Sequence, residues 1–339
     1  MPETSVYTEL PTRKSVRLLK LTSGSGKGNL SCSLEVIDDY NNAPKYHCLS
    51  YCWGETSAIN LTNLECNGTV IAITKNLHAA LTQISRNGQT QYLWADAISI
   101  NQADIPERNQ QVAIMDEIFQ HSERVYVWLG PGTSETARAI AAIEKIAMLV
   151  YKSFNPPSAI ADWIHALSAN SQKRVLIRKH TALKYTDLTP IAWRAFRDFM
   201  LAPWFTRVWV IQEVRKQKDV WMLCGQHDIK WDCVCLASAW CSRVDLDFWA
   251  AEWSSTLIPF RQATVNVTFM WDTAWSASSF LDILNASIFF QATDPRDKIF
   301  AMLHYGIERK ETTKHQHSQK IEDRSIPVSV SPSSCIGKC

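Results

Sequence analysis

The sequence predicts an α/β fold, a mostly parallel central sheet flanked by helices with helical insertions. Three observations carry it. Residues 92–130 read as two apolar runs, Tyr92–Ile98 and Val125–Leu129, joined by a segment of helical period. Two buried runs linked by a crossover helix form a βαβ unit, whose strands run parallel. Tyr46–Trp53 and Val220–Cys224 are further apolar runs of strand length, set apart from that unit by helix-period segments.

Taken in order, residues 1–45 are a lead-in with two strand-like runs, Ser15–Leu21 and Leu30–Ile37, around Gly24-Ser-Gly-Lys-Gly28. A phosphate loop would need Gly where Leu21 stands and a helix after it, so this segment reads as a hairpin loop. Tyr46–Trp53 alternates like a strand and stops at Gly54. Thr74 can cap a helix that carries Leu77, Ala80, Leu81 and Ile84 on one face. Asp104-Ile-Pro-Glu107 opens the crossover helix: Asp104 caps, Pro106 tolerates the first turn and Glu107 can reach back to the cap. Its apolar face is Val112, Met115, Ile118 and Phe119. Ser134–Tyr151 is helical, Asn155-Pro-Pro157 breaks the chain, and 134–202 reads as a helical insertion. Pro203 starts a helix predicted to run on through Gln217, followed by the strand Val220–Cys224 and helical segments to about residue 290. Asp294-Pro-Arg-Asp297 opens a last helix, with Asp294 as its cap, and residues 306–339 form a polar tail expected to be disordered. The expected organisation is therefore a lead-in over 1–45, one elaborated domain over 46–305, and the tail.

Composition narrows the function classes. With 46% hydrophobic and 20% charged residues the chain can bury a full core, and a net charge of +2 gives no bulk pull toward nucleic acid. Only 11 glycines argue against a glycine-rich phosphate loop as the main device, and 14 tryptophans imply polar partners threaded into an aromatic core. The N-terminus lacks the basic and apolar regions of a signal peptide, and no apolar run is long enough to span a membrane. A cytoplasmic location and free thiols for the ten cysteines follow as expectations. Cys224, His227, Cys233, Cys235 and Cys241 contain no C-x-x-C pair, so no metal site is expected.

Four blocks together resemble the fungal heterokaryon incompatibility (HET) family. They are Tyr46-His-Cys-Leu-Ser-Tyr-Cys-Trp-Gly54; Leu93-Trp-Ala-Asp-Ala-Ile-Ser-Ile-Asn-Gln102 with Glu107-Arg108, Gln111-Val112 and Met115; Pro203-Trp-Phe-Thr-Arg-Val-Trp-Val-Ile-Gln-Glu213; and Asp294-Pro-Arg-Asp-Lys-Ile-Phe300. With Arg17–Leu21 they cover roughly residues 15–305, and their order and spacing make the match specific. Cys48 stands where the family usually has Ala, and Ser99 where it usually has Cys. The family usually continues past Leu303 with helical protein, whereas this chain gives a short polar tail, which reads either as a truncated member or as an imperfect gene model. The resemblance implies a cytoplasmic fungal protein of self/non-self recognition whose domain triggers regulated cell death. It implies as partners a second copy of the chain or another incompatibility protein. More remotely, the family is similar to TIR domains, which have a flavodoxin-like core and some of which cleave NAD with one Glu on a helix. Trp209-Val-Ile-Gln-Glu213-Val214 has the W-x-x-x-E-[LV] spacing of that helix, and Ser50-Tyr51 is similar to the TIR opening strand.

The candidate site follows from these residues. On a helix Trp209 and Glu213 share a face, and an indole wall would desolvate the carboxylate. A carboxylate can stabilise the oxocarbenium-like state formed when the nicotinamide–ribose bond of NAD breaks. The other reading of Glu213 is an ion pair with Arg207 or Arg215 at a helix end. Asp96 interrupts an apolar run, so it either holds a ribose hydroxyl or orients Arg207, or accepts from loop N–H groups near Asn101. Asn101 and Gln102 either donate to a ligand beyond the strand end or shape the turn. Ser50, Tyr51 and Trp53 end the first strand, and a parallel arrangement would bring them beside Asp96; packing is the other reading of Tyr51 and Trp53. NAD is thus expected as a substrate, with no cofactor required. A non-enzymatic module acting through homotypic contacts, and an inert truncated paralogue, are the other functional readings.

Overall fold

The computed structural model describes residues 6–23, 30–54, 57–86, 92–153, 187–215, 217, 219–242, 252–271, 279–303 and 305. The Gly24–Gly28 loop, the Asn155-Pro-Pro157 break and the polar tail lie outside the described residues. Two compact units emerge: residues 1–133 with 212–228, and residues 134–211 with 229–339.

The first unit is α/β. Its strands are β1 (Val16–Ser23), β2 (Leu30–Ile37), β3 (His47–Tyr51), β4 (Leu61–Cys66), β5 (Thr69–Thr74), β6 (Leu93–Trp94), β7 (Arg124–Trp128) and β8 (Val220–Cys224); β9 (His227–Lys230) completes a nine-stranded sheet of order β5-β4-β2-β1-β6-β3-β7-β8-β9. The centre, β6-β3-β7-β8, is parallel. The sheet as a whole is mixed and not purely parallel: β2 also meets β4 parallel, but β1–β2 and β4–β5 are antiparallel pairs and β1 meets β6 antiparallel. The reason is connection length. Asn67-Gly68 is a two-residue turn, with φ of 51° and 75°, and so short a link can only reverse the chain.

Helix α1 (Lys75–Arg86) begins as expected, with the Thr74 hydroxyl accepting from Leu77 N–H at 3.2 Å. It buries Leu77, Ala80, Leu81 and Ile84 against one sheet face, whose core includes Leu19, Leu49, Tyr51, Leu93, Tyr126, Trp128 and Leu223. The expected strand Tyr92–Ile98 is shorter than the apolar run. β6 has two residues, and Asp96 starts a single helical turn, α2 (Asp96–Ser99), in which the Ser99 hydroxyl accepts from Ala95 N–H at 3.1 Å. The crossover is broken into α3 (Ile105–Ala113) and α4 (Met115–His121) at Ile114, whose φ/ψ of −111°/7° is not helical. Asp104 caps α3, accepting from Glu107 N–H at 3.0 Å. Glu107 does not close a capping box. Its carboxylate takes a bidentate pair from the buried Arg17, at 2.5 and 2.8 Å, and accepts from Asn101 N–H at 2.7 Å. Arg17 also donates to the carbonyls of Ser99 and Thr8, so the lead-in is tied to the turn after β6 by a charge-assisted network.

The second unit is helical: α5 (Thr136–Lys152), α6 (Pro190–Met200), α8 (Trp231–Cys241), α9 (Leu257–Trp271), α10 (Phe280–Ala286) and α11 (Asp297–Phe300), with α7 (Val210–Val214) carrying the chain into the first unit. Its core is aromatic. Trp193 stacks on Trp240 at 6.0 Å, Phe196 meets Phe260 edge-on at 5.4 Å, and Trp204 meets Trp231 edge-on at 5.7 Å. Such pairs add to the area they bury. The helix expected from Pro203 through Gln217 is interrupted. Pro203–Thr206 is a tight helical turn, Arg207 makes an extended bridge to Gln291, and only Val210–Val214 is α-helical. α11 starts later than Asp294. Asp294 instead accepts from Arg296 N–H at 2.9 Å and pairs with the Arg296 guanidinium, which holds its carboxyl down at about 2.

Candidate functional site

Two polar pairs sit where β3 and β6 end, in the first unit. The first is Ser50 with Glu213. Strand alternation puts Cys48 and Ser50 on the sheet face opposite Leu49 and Tyr51. Helix α4 covers that face: Cys48 Sγ lies 3.9 Å from the Ile118 carbonyl, and Trp94, in register with Cys48, meets Phe119 edge-on at 5.5 Å. There the Ser50 hydroxyl donates to Glu213 Oε2. Both residues are buried, at 1% and 5% exposure, so this is a charge-assisted bond shielded from water. Beside it, burial above all, with a smaller push from the Glu213 carboxylate, raises the Cys48 thiol against the opposing hydrogen bond with Ser122, so it stays protonated at neutral pH.

The second pair is Trp53 with Asp96. Trp53 Nε1 donates to Asp96 Oδ2 at 2.9 Å, and Asp96 Oδ1 accepts from Ala97 N–H at 2.7 Å. Gln102 Nε2 donates to the Asp96 carbonyl at 2.9 Å, and Asn101 Oδ1 accepts from Ala103 N–H at 3.2 Å. These bonds give Asn101 and Gln102 a turn-shaping part. Trp53 packs against the α1-side core, and Tyr51 is buried within it. Both readings of Asp96 start from a buried run, but its carboxylate stands at the first turn of α2, held by an indole and a backbone N–H.

Arg207 and Trp209 belong to the second unit. Arg207 bridges Gln291, and Trp209 Nε1 donates to Asp297 Oδ2 at 3.1 Å. Trp209 stands immediately before α7, and its indole N–H is taken by Asp297. One further group stands on the Ser50 face. Trp94 is fully buried, and its indole N–H meets no partner among the described residues. A buried orphan donor is uncommon and suits a water or polar ligand. The signal available in the sequence was its place two residues before Asp96, at the end of a strand.

Among the described residues no group of three or more His, Cys, Asp and Glu could hold a metal ion, and no helix is long and apolar enough to cross a membrane.

Comparison with known proteins follows the same residues. The model of the family "Heterokaryon incompatibility protein (HET)" matches residues 46–213, from the start of β3 through Glu213. A curated relative is "Heterokaryon incompatibility protein 6, OR allele" of Neurospora crassa, 26% identical over 199 residues. The alignment covers 54% of this chain and 29% of that protein, so the chain spans well under half of the relative's length. No solved structure matches the chain.

Proposed function

From the heterokaryon incompatibility (HET) domain that this chain carries over residues 46–213, we propose an effector of fungal self/non-self recognition that triggers regulated cell death in the cytoplasm by cleaving NAD. The observation that carries the chemical part is the buried Ser50–Glu213 pair at the end of a parallel strand. Ligands of such sheets bind beyond the carboxyl ends of the strands. Glu213 stabilises positive charge developing on the ribose as the bond from C1′ to the nicotinamide nitrogen breaks. Water then adds to C1′ and gives up a proton, leaving ADP-ribose and nicotinamide. Ser50 holds the carboxylate in place, and the Trp94 indole N–H supplies a donor on the same face. Trp53 and Asp96 form the second wall at the strand ends.

The test is incubation of the purified chain with NAD, with and without forced oligomerisation, and chromatography for nicotinamide. Release by the wild type and loss in Glu213→Gln, with the circular dichroism unchanged, is the expected result. Release that persists in a folded Glu213→Gln would sink the reading. One observation favours a non-enzymatic alternative, in which the domain acts through contacts with a partner: Glu213 is 5% exposed and already engaged by Ser50. On that reading no nicotinamide appears, yet Glu213→Ala still weakens killing, because it unseats β3.

A further inference from the structure

The two edges of the sheet differ. β9, at one edge, is a four-residue strand carrying His227, Asp228 and Lys230. β5, at the other, is six residues of Thr-Val-Ile-Ala-Ile-Thr, with no charge and no proline. Among the described residues no strand pairs with its outer side. Short, charged strands are how proteins protect an edge, and an apolar, uncharged edge is open to pairing. Val70, on this strand, is 63% exposed.

The direction of the free backbone groups follows from the hairpin. Cys66 and Thr69 flank the two-residue turn and pair with each other. They form a hydrogen-bonded pair, and alternation makes Leu64↔Ile71 and Thr62↔Ile73 hydrogen-bonded pairs as well. Thr69, Ile71 and Ile73 therefore spend their N–H and C=O on β4. Val70 and Ala72 turn theirs outward; Thr74 turns its N–H outward, while its carbonyl, as the cap of α1, accepts the first helical bond.

We propose that β5 pairs antiparallel with β5 of a second copy of this chain, about a two-fold axis through Ala72. A two-fold normal to the sheet keeps its faces aligned, so paired residues must share a face. Centring on Ala72 meets that condition: Ala72 exchanges both bonds with its own copy, and Val70 pairs with Thr74. On the core face Ile71 comes opposite Ile73, which extends the α1-side core, of which Ile73 is a buried member. Because the segment carries no charge, pairing it with itself sets no like charges opposite one another. The contact is isologous, and the charged β9 edge does not repeat it, so association closes at a dimer. This pairing is independent of any chemistry at Glu213.

The experiment is sedimentation velocity of the full chain under reducing conditions, from micromolar to near-millimolar concentration. The wild type should shift from monomer to dimer along the series. Ala72→Pro removes an outward N–H that the hairpin does not use, so the dimer boundary should be lost while circular dichroism is kept. Ala72→Lys and Ala72→Glu should each be monomeric, since two like charges face across the axis, and mixing the two should restore a dimer that weakens with salt. A wild type that stays monomeric throughout overturns the proposal. So does a dimer indifferent to all three substitutions, or folded Lys and Glu variants that fail to recombine.

Discussion

Ser50 and Glu213 set the terms at the scale of single residues. Ser50→Ala removes a hydroxyl that donates to a carboxylate at 5% exposure, leaving part of a buried charge unsatisfied. The expected cost is about 1.5–3 kcal/mol, read as a lower urea midpoint with an unchanged slope. His47 gives a pH signature. Burial first and the nearby Arg124 second lower its pKa below the ordinary 6.5, even though Glu123 and Asp219 pull the other way. As pH falls below 6.5 the unfolded chain takes up a proton that the folded chain resists, so this contribution to stability is present above that value and is lost on acidification. His47→Gln should flatten the fall in melting temperature between about pH 7 and pH 5 relative to the wild type. At this scale the sequence was most readable where a residue acts locally. Thr74 and Asp104 are caps, as their positions implied. It was least readable where a partner lies far along the chain. Glu107 sits where a capping box would use it, yet Arg17, 90 positions away, takes its carboxylate, and spacing carries no trace of that. Glu213 likewise meets Ser50 across 163 positions.

Among elements, the parallel centre was legible because its strands are near-continuous apolar runs, and β8 falls on the run Val220–Cys224 that marked it. The β4–β5 hairpin lies outside the near-continuous apolar runs, and its sign in the sequence is Asn67-Gly68 between alternating residues. Asp96 and Arg207 broke the elements expected around them for one reason. A polar side chain amid apolar residues can be held by turning the backbone, which periodicity does not register. The turn between β8 and β9 shows how tightly these ends are built. Gly225 has φ of +59°, and its N–H donates to the Gly130 carbonyl at 2.8 Å. A Cβ there would stand 2.4 Å from the Pro131 carbonyl oxygen, which is backbone and cannot swing away. Gly225→Ala should therefore cost more than the ~1–3 kcal/mol of left-handed strain alone. Thermal unfolding against Gly68→Ala, where φ is +75° but no atom lies within 4 Å, separates the clash from the strain. Equal losses in the two variants would show that the clash relaxes at no cost.

On the scale of the whole molecule, the chain leaves the first unit at Thr133 and returns at Gln212. The sheet is therefore completed late, by β8, which pairs with β7 in register from Val125↔Val220 to Trp128↔Leu223. The candidate carboxylate arrives on the same return, at Glu213. A chain cut after Thr133 would lack both. β7 would become an edge whose Val125 and Val127 are wholly buried in the intact protein, and such an edge invites aggregation. Residues 1–133 alone should thus be recovered largely in the insoluble fraction. The same segment joined to residues 212–228 through a flexible Gly/Ser linker should regain solubility, strand signal in circular dichroism and protection of the β3 amides from hydrogen exchange. Soluble, protected 1–133 would show that β8 and Glu213 are additions to a sheet already able to stand. The expected failure would instead make the return of the chain the step that both closes the fold and assembles the Ser50–Glu213 pair.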